Sequence, residues 1–251
     1  MAEVHGAKGR IEIFEDFLAG EDIIAETAAT RSFGGSGLRV VGEGIAEVDS
    51  GIILAETDAN NGVGILTTTD QVDHSCGVAT AQSFVVGKMG TIIAECRVQF
   101  NNLDTKEFYF GLTTQNNDNE NLQGSTIHGE TLTLTLSAGG LCGFHLSSEL
   151  TDDEDWHMVY NGGTTTGETD SREVDADDDA VAGEWQILRL EVAPNGTARW
   201  YIDGVLQQTK TGAISTTTEH AVIAMVEAKG DAIELAYIDY IDISANRDWT
   251  V

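Results

Sequence analysis

Residues Gly183–Gln208 read GEWQILRLEVAPNGTARWYIDGVLQQ. After Trp185, the apolar Leu188, Leu190 and Val192 alternate with Arg189 and Glu191. Beyond the turn, Ala198, Trp200 and Ile202 alternate with Arg199 and Tyr201. A period of two places one set of side chains on a core and the other in water, which defines half-buried strands. Pro194-Asn195-Gly196 separates the two runs and Asp203-Gly204 closes the next turn. These residues supply the positive φ that tight hairpins need.

The same period extends outward. Ala94, Cys96, Val98 and Phe100 alternate with Glu95, Arg97 and Gln99, and Leu132, Leu134 and Leu136 with Thr131, Thr133 and Thr135. Further strands are expected at Ile11–Phe17, Leu38–Val41, Gly51–Glu56, Gly62–Thr67, Phe108–Thr114 and Cys142–Ser147. Met158–Tyr160, Ala221–Glu227 and Ile233–Ile243 complete the set. The best helical candidate, Glu21–Ala29, is short. Many short strands with Gly, Asn and Asp turns point to an antiparallel sandwich or barrel. With no internal repeat and no Pro- or Ser-rich linker, residues 1–251 are expected to form one domain. Residues 148–183 stand apart: between Glu149 and Glu184 there are 13 acids and one base, Arg172. That stretch is expected to be an exposed acidic excursion.

Across 251 residues, 13 Lys+Arg face 42 Asp+Glu, a formal charge of −29. Phosphate binding relies on clustered Lys and Arg, so nucleic acid is excluded as a partner class, and an anionic membrane surface is disfavoured. A hydrophobic content of 41% separates the chain from disordered sequences. Self-repulsion on this scale suits a saline setting, where salt screens it. Cys76, Cys96 and Cys142 form no CxxC pair and read as small buried hydrophobes in a reducing compartment. Met1–Gly20 shows no basic start followed by an apolar run, so the expectation is synthesis in a cytoplasm without a secretion signal.

The Gly183–Gln208 stretch resembles the paired-strand signature of concanavalin-like (laminin-G-like) jelly-roll domains. Ile92–Asp118, IIAECRVQFNNLDTKEFYFGLTTQNND, resembles a strand pair common in such domains of tailed-virus virions. The opening Phe14–Gly20 and closing Ile238–Ile243 are similar to the first and last strands of those virion proteins. The resemblance implies an all-β fold, an antiparallel two-sheet β-sandwich with very little helix, whose termini pair in one sheet.

Several motifs have spacings that suit chemistry. Glu168-Thr-Asp170-Ser-Arg-Glu173 matches the letters of the E-x-D-x-x-E strand of concanavalin-like glucanases, where paired carboxylates serve as nucleophile and acid. Its interleaved residues are polar, whereas that motif interleaves apolar ones. Asp175, Asp177 and Asp179 have the alternate-carboxylate spacing of a calcium loop. Ala180 stands where the loop's Gly belongs and Gln186 where its Glu belongs. These three Asp, with Asp152–Asp155, are the candidate ligands for Ca2+ (or sodium); the competing reading is a solvated surface and no cofactor. His74 with Cys76 is a candidate thiol dyad, and Gly34-Gly35-Ser-Gly37 leads into a strand rather than a phosphate-binding helix. Trp156, Tyr160, Trp185, Trp200, Tyr201 and Trp249 could form a sugar-stacking face, although Trp185 and Trp200 are expected in the core.

The leading expectation is a non-enzymatic virion structural protein: a capsid decoration (cement) subunit that binds the major capsid protein as a homotrimer or homodimer. A carbohydrate-binding, lectin-like module of a tail or spike is the alternative, and a glucanase-type hydrolase the third reading. Charge supplies the first test. The screening length falls from about 10 Å at 0.1 M salt to about 3 Å at 1 M. The melting temperature should therefore rise between about 0.05 and about 1 M NaCl. A flat or falling trend would refute the repulsion argument.

Overall fold

The computed structural model describes residues 9–18, 22–25, 32–33, 36–55, 62–130, 133–165 and 175–247. Within them the chain forms twenty strands. The first ten are β1 (Arg10–Glu15), β2 (Ile23–Ile24), β3 (Ser32–Phe33), β4 (Leu38–Val41), β5 (Gly51–Leu54), β6 (Gly64–Thr67), β7 (Ser75–Ala79), β8 (Phe84–Val85), β9 (Ile92–Phe100) and β10 (Lys106–Thr113). The others are β11 (Ile127–Glu130), β12 (Thr133–Leu136), β13 (Leu141–Ser147), β14 (Asp155–Asn161), β15 (Asp175–Asp179), β16 (Gln186–Val192), β17 (Ala198–Ile202), β18 (Val205–Lys210), β19 (Glu219–Ala228) and β20 (Leu235–Asn246). Helical structure among the described residues is confined to a 3-10 turn at Val86–Lys88 and a π-helical turn at Leu122–Thr126.

Two nine-stranded antiparallel sheets stack face to face. The first has the order β18-β17-β16-β9-β20-β6-β5-β2, with β1 also on β20; the second is β15-β14-β13-β10-β19-β7-β4-β3, with β8 on β19. The pairing of β1 with β20, in which Arg10 opposes Asn246 and Glu15 opposes Ile241, joins the two ends of the described chain as expected. The Gly183–Gln208 reading also holds. β16 pairs with β17 and β17 with β18, and Gly196, Asp203 and Gly204 have φ of 77°, 48° and 80°.

The core follows from period two. Ala94, Cys96, Val98, Leu188, Leu190 and Trp200 of the first sheet meet Phe108, Phe110, Phe144, Met158 and Val226 of the second. Trp156 is its centre: Phe108 and Phe144 meet the indole edge-on at 6.1 and 6.3 Å, and Phe100 lies 6.0 Å away. Both buried indoles find acceptors, Trp156 Nε1 on Gln186 Oε1 and Trp200 Nε1 on the Gly143 carbonyl, each at 2.9 Å. The second bond crosses between the sheets. Gly143 faces Gly111 across β10 and β13, and a Cβ on Gly143 would lie 2.3 Å from the Phe110 carbonyl oxygen.

The second sheet is buried on its outer face as well. Val41, Tyr109, Val159, Ile223 and Met225 pack there against Leu122, Ile127, Leu134 and Ala138 of the covering segment that connects β10 to β13. Backbone bonds from Gly42 to Asp118 (3.1 Å) and from Glu43 to Glu120 (2.9 Å) tie that cover down. All eight residues of β10 are buried in consequence.

Three expectations need correction. Residues 148–183 are not simply an exposed excursion: β14 runs through them with Trp156, Met158 and Tyr160 in the core, and β15 is the edge strand of the second sheet. The strand expected at Met158–Tyr160 is the inner part of β14, which reaches back through Trp156 into the acidic stretch. Ile23–Ile24 is a short strand on β5 rather than helix. Trp185 is half-buried beneath Arg97, whose guanidinium carbon stands 4.8 Å from the ring centroid. Replacing Trp156 by Ala should cost about 3–5 kcal/mol, measured as a lowered urea midpoint, because it opens a cavity where four aromatic rings meet.

Candidate functional site

The outer face of the second sheet carries the chemistry. In β10, inward Phe108 and Phe110 leave Glu107 and Tyr109 facing outward. In β13, inward Phe144 and Leu146 leave His145 outward, and in β19, inward Val226 leaves Glu227 outward. Glu107 opposes Glu227 directly in the β10–β19 register, and His145 opposes His157 in β13–β14. Two like charges placed opposite each other across a ladder repel, more so in a dry interior.

Lys229, just beyond β19, answers that repulsion. Its Nζ lies 2.9 Å from Asp73 Oδ1, 3.2 Å from Glu227 Oε1, 3.3 Å from Glu149 Oε2 and 3.5 Å from Glu107 Oε2. Burial pulls the ammonium pKa down, but Glu107 and Glu227 outweigh it and raise it. Burial and the facing Glu107 raise the pKa of the Glu227 carboxyl. Glu227 also anchors the cover: its Oε2 accepts the Leu122 N–H at 2.5 Å and the Gln123 N–H at 3.3 Å.

Two buried histidines adjoin the carboxylates. Burial, then the charges of His128 and Lys229, hold His145 at a pKa of about 3. It is therefore neutral, and its Nε2–H donates to Glu107 Oε1 at 2.5 Å. Burial and then His145 hold His157 at about 4. On the rim, His128 Nδ1 lies 3.7 Å from Glu149 Oε2. The Glu149 and Asp73 side chains are 33% and 37% exposed, so the cluster opens to solvent there.

A second polar feature lies at the same end of the sandwich. Lys106, fully buried, pairs with Glu234 Oε2 at 2.9 Å and donates to Asn101 Oδ1 and the Leu235 carbonyl, each at 3.1 Å. Beside it, Asn101, Asn102, Asp104, Glu154 and Val181 line a groove of about 410 Å³.

The sequence-derived candidates fare differently. Asp175, Asp177 and Asp179 lie on β15, an extended edge strand, so they do not curl round a cation as a calcium loop requires. Alternate residues of a strand are spaced roughly 6–7 Å apart. Asp179 is exposed, and the side chains of Asp175 and Asp177 lie outside the described residues, as do Glu168, Asp170, Glu173, Gly34, Gly35 and Trp249. His74 and Cys76 form no dyad: His74 Nδ1 bonds Thr69 Oγ1 at 2.8 Å, and Cys76 Sγ donates into the core to the Gly51 carbonyl at 3.1 Å. The expected aromatic face does not form either, since Trp156, Tyr160 and Trp200 are buried. Burial raises the thiol pKa values of Cys96 and Cys142, which makes both unreactive. The cluster itself went unread in the sequence. Its signal was a charge inside an otherwise apolar run: Glu107 in KEFYFGLT and Glu227 in AVIAMVEA.

No protein-family profile and no curated protein matches the chain. Solved structures do match in fold. Peanut lectin with a bound 9-mer peptide aligns at 10% identity over 94% of this chain and 97% of the lectin chain, with a TM-score of 0.58. A protein of unknown function from Shewanella oneidensis aligns at 13% identity over 100% and 92%, TM-score 0.55. A prokaryotic β-1,3-1,4-glucanase (lichenase) from a mouse hindgut metagenome aligns at 13% over 92% and 98%, TM-score 0.55. The fold is a concanavalin-like jelly-roll β-sandwich. Among the described residues, no helix is long and apolar enough to cross a membrane.

The buried histidines set a pH dependence. Their folded pKa values lie below the ordinary 6.5, so the stability that rests on their neutrality is whole above about pH 6.5. It is lost as the pH falls toward about 4 for His157 and about 3 for His145, by about 1.4 kcal/mol per histidine per pH unit. The raised pKa values of Glu15, Glu120, Glu227 and Asp242 work in the opposite sense, and the lowered pKa of His220 works in the same sense. Between pH 6.5 and pH 4.5 the urea midpoint of the unaltered protein should therefore drop relative to that of His157→Gln. An equal change in that variant would remove His157 from the account.

Proposed function

We propose that the protein is a non-enzymatic structural subunit of a tailed-virus particle that decorates the capsid by binding the major capsid protein. The supporting observation is the division of labour between the sheets. The outer face of the second sheet is closed by its own covering segment, so a polymeric ligand has no access to it. The outer face of the first sheet is left to meet partners. It presents Phe14 (50% exposed) stacked on Tyr240 at 6.3 Å, with Tyr201, Trp185 and Arg97 beside them. Arg189 bonds Glu191 Oε1 at 2.6 Å and pairs with Glu95 at 3.5 Å on the same face. Aromatic residues and Arg over a strand surface are the composition that protein interfaces favour. A high negative charge on the remaining surface keeps spare subunits apart. In this reading the protein is made in the host cytoplasm and acts on the virion as a homotrimer or homodimer.

Carbohydrate binding is the second reading, favoured by the groove of Asn101, Asn102, Asp104 and Glu154, whose amides and carboxylates suit hydroxyl-rich ligands. The lectin likeness of the fold accords with it. One experiment separates the two. The protein is co-expressed with the major capsid protein of the same genome and the shells are sedimented. Co-sedimentation at a fixed copy number, reduced at least tenfold in a Tyr240→Ala, Arg189→Glu double variant, is expected. Wild-type protein left in the supernatant, together with glycan-array binding abolished by Asn102→Ala, would replace the capsid reading with the carbohydrate one.

A further inference from the structure

We propose that Glu107, His128 and Glu149 form a site for a divalent transition-metal ion at the mouth of the buried cluster. The three side chains come from separate elements: β10, β11 in the covering segment, and the turn after β13. One ligand atom from each lies within 4.8 Å of the other two, and His128 Nδ1 and Glu149 Oε2 are 3.7 Å apart. Bonds of about 2.0–2.2 Å in a tetrahedral site place neighbouring donors roughly 3.3 Å apart, so small rotations close the set. One imidazole with two carboxylates suits zinc, manganese or cobalt better than the all-oxygen preference of calcium and magnesium.

Charge argues independently for a cation. Four carboxylates, Asp73, Glu107, Glu149 and Glu227, converge on one ammonium. Lys229 stands closest to Asp73 and Glu227, at 2.9 and 3.2 Å, and farther from Glu149 and Glu107, at 3.3 and 3.5 Å. A metal ion takes the two farther carboxylates while Lys229 keeps the two nearer ones, which lowers the local negative excess by two charges. Outer support is already built: His145 Nε2–H holds Glu107 Oε1. The rim position of Glu149 provides the way in. The bound ion would staple the β11–β12 hairpin to the sheet it covers, independently of the capsid reading.

The test uses the intact chain, stripped with chelator and titrated with Zn2+, Mn2+ or Ca2+ at matched ionic strength. One Zn2+ or Mn2+ per chain should bind by calorimetry with a rise in melting temperature, and Ca2+ should bind at least tenfold more weakly. His128→Gln and Glu149→Gln should each lose affinity at least tenfold, with each variant's metal-dependent rise read against its own metal-free melting temperature. Mn2+ should also broaden the imidazole NMR signals of His128 and His145 in the unaltered protein, and leave those of His220 sharp. That readout needs no variant to fold. No saturable uptake, affinity unchanged in both variants, or broadening away from His128 would each overturn the site.

Discussion

A β-sheet buried on both faces is the constraint on which the rest of this structure depends. The first sheet has one wet face and needs only an alternating sequence. The centre of the second has none: its inner face takes part in the sandwich core and its outer face lies under Leu122, Ile127, Leu134 and Ala138 of the covering segment. Every polar group on that outer face must then find its partner inside the protein. The cluster of Glu107, Glu227, His145, His157 and Lys229 is the result, and Lys229 is the element that makes two opposed glutamates tolerable.

The same constraint explains what the amino-acid sequence disclosed and what it concealed. Strands with one wet face declare themselves by period two, so β9, β16 and β17 could be read almost to the residue. The run LCGFHLS is buried throughout and carries no alternation of polarity, although its strand could still be placed from its apolar content. β7, SCGVA, is buried throughout and too short and small to stand out. β14 was legible only in part: Met158–Tyr160 reads as a strand, but the acids flanking DWHMVYN hid its extension through Trp156 and gave the stretch around it the composition of a loop. The site lay further out of reach. Asp73, Glu107, His128, Glu149 and Lys229 are scattered over more than half the chain and are joined only by antiparallel register and by the covering segment, neither of which leaves a spacing motif.

Charge partition links this interior to the surface. The chain holds five lysines, and two of them, Lys106 and Lys229, are enclosed with glutamates in the second sheet and the loops at its end. Several of the arginines are engaged in pairs on the first sheet: Arg97 with Asp239 at 2.7 Å, and Arg189 with Glu191 and Glu95. Little positive charge is left over for the loops, so the acidic excess of the composition falls almost wholly on the outside. Repulsion between subunits and the internal ion cluster are therefore two consequences of one allocation of scarce cations.

That allocation also bears on why a polar cluster persists where packed apolar side chains would serve stability as well. Buried ion pairs recover at best what their desolvation costs, and removing one partner is far worse than never having had either. What they supply here is position. The covering segment touches the sheet through interchangeable apolar contacts, such as Leu122 and Ile127 on Tyr109 and Met225, which by themselves tolerate sliding. The Glu227 carboxylate accepts the N–H groups of Leu122 and Gln123 at the start of the π-helical turn, and a carboxylate fixed by a strand register cannot slide. Lys229 holds that carboxylate in place and joins it to Glu149 in the turn after β13. The ion cluster thus sets the register of the cover on the sheet, and the apolar contacts supply the free energy that keeps it closed.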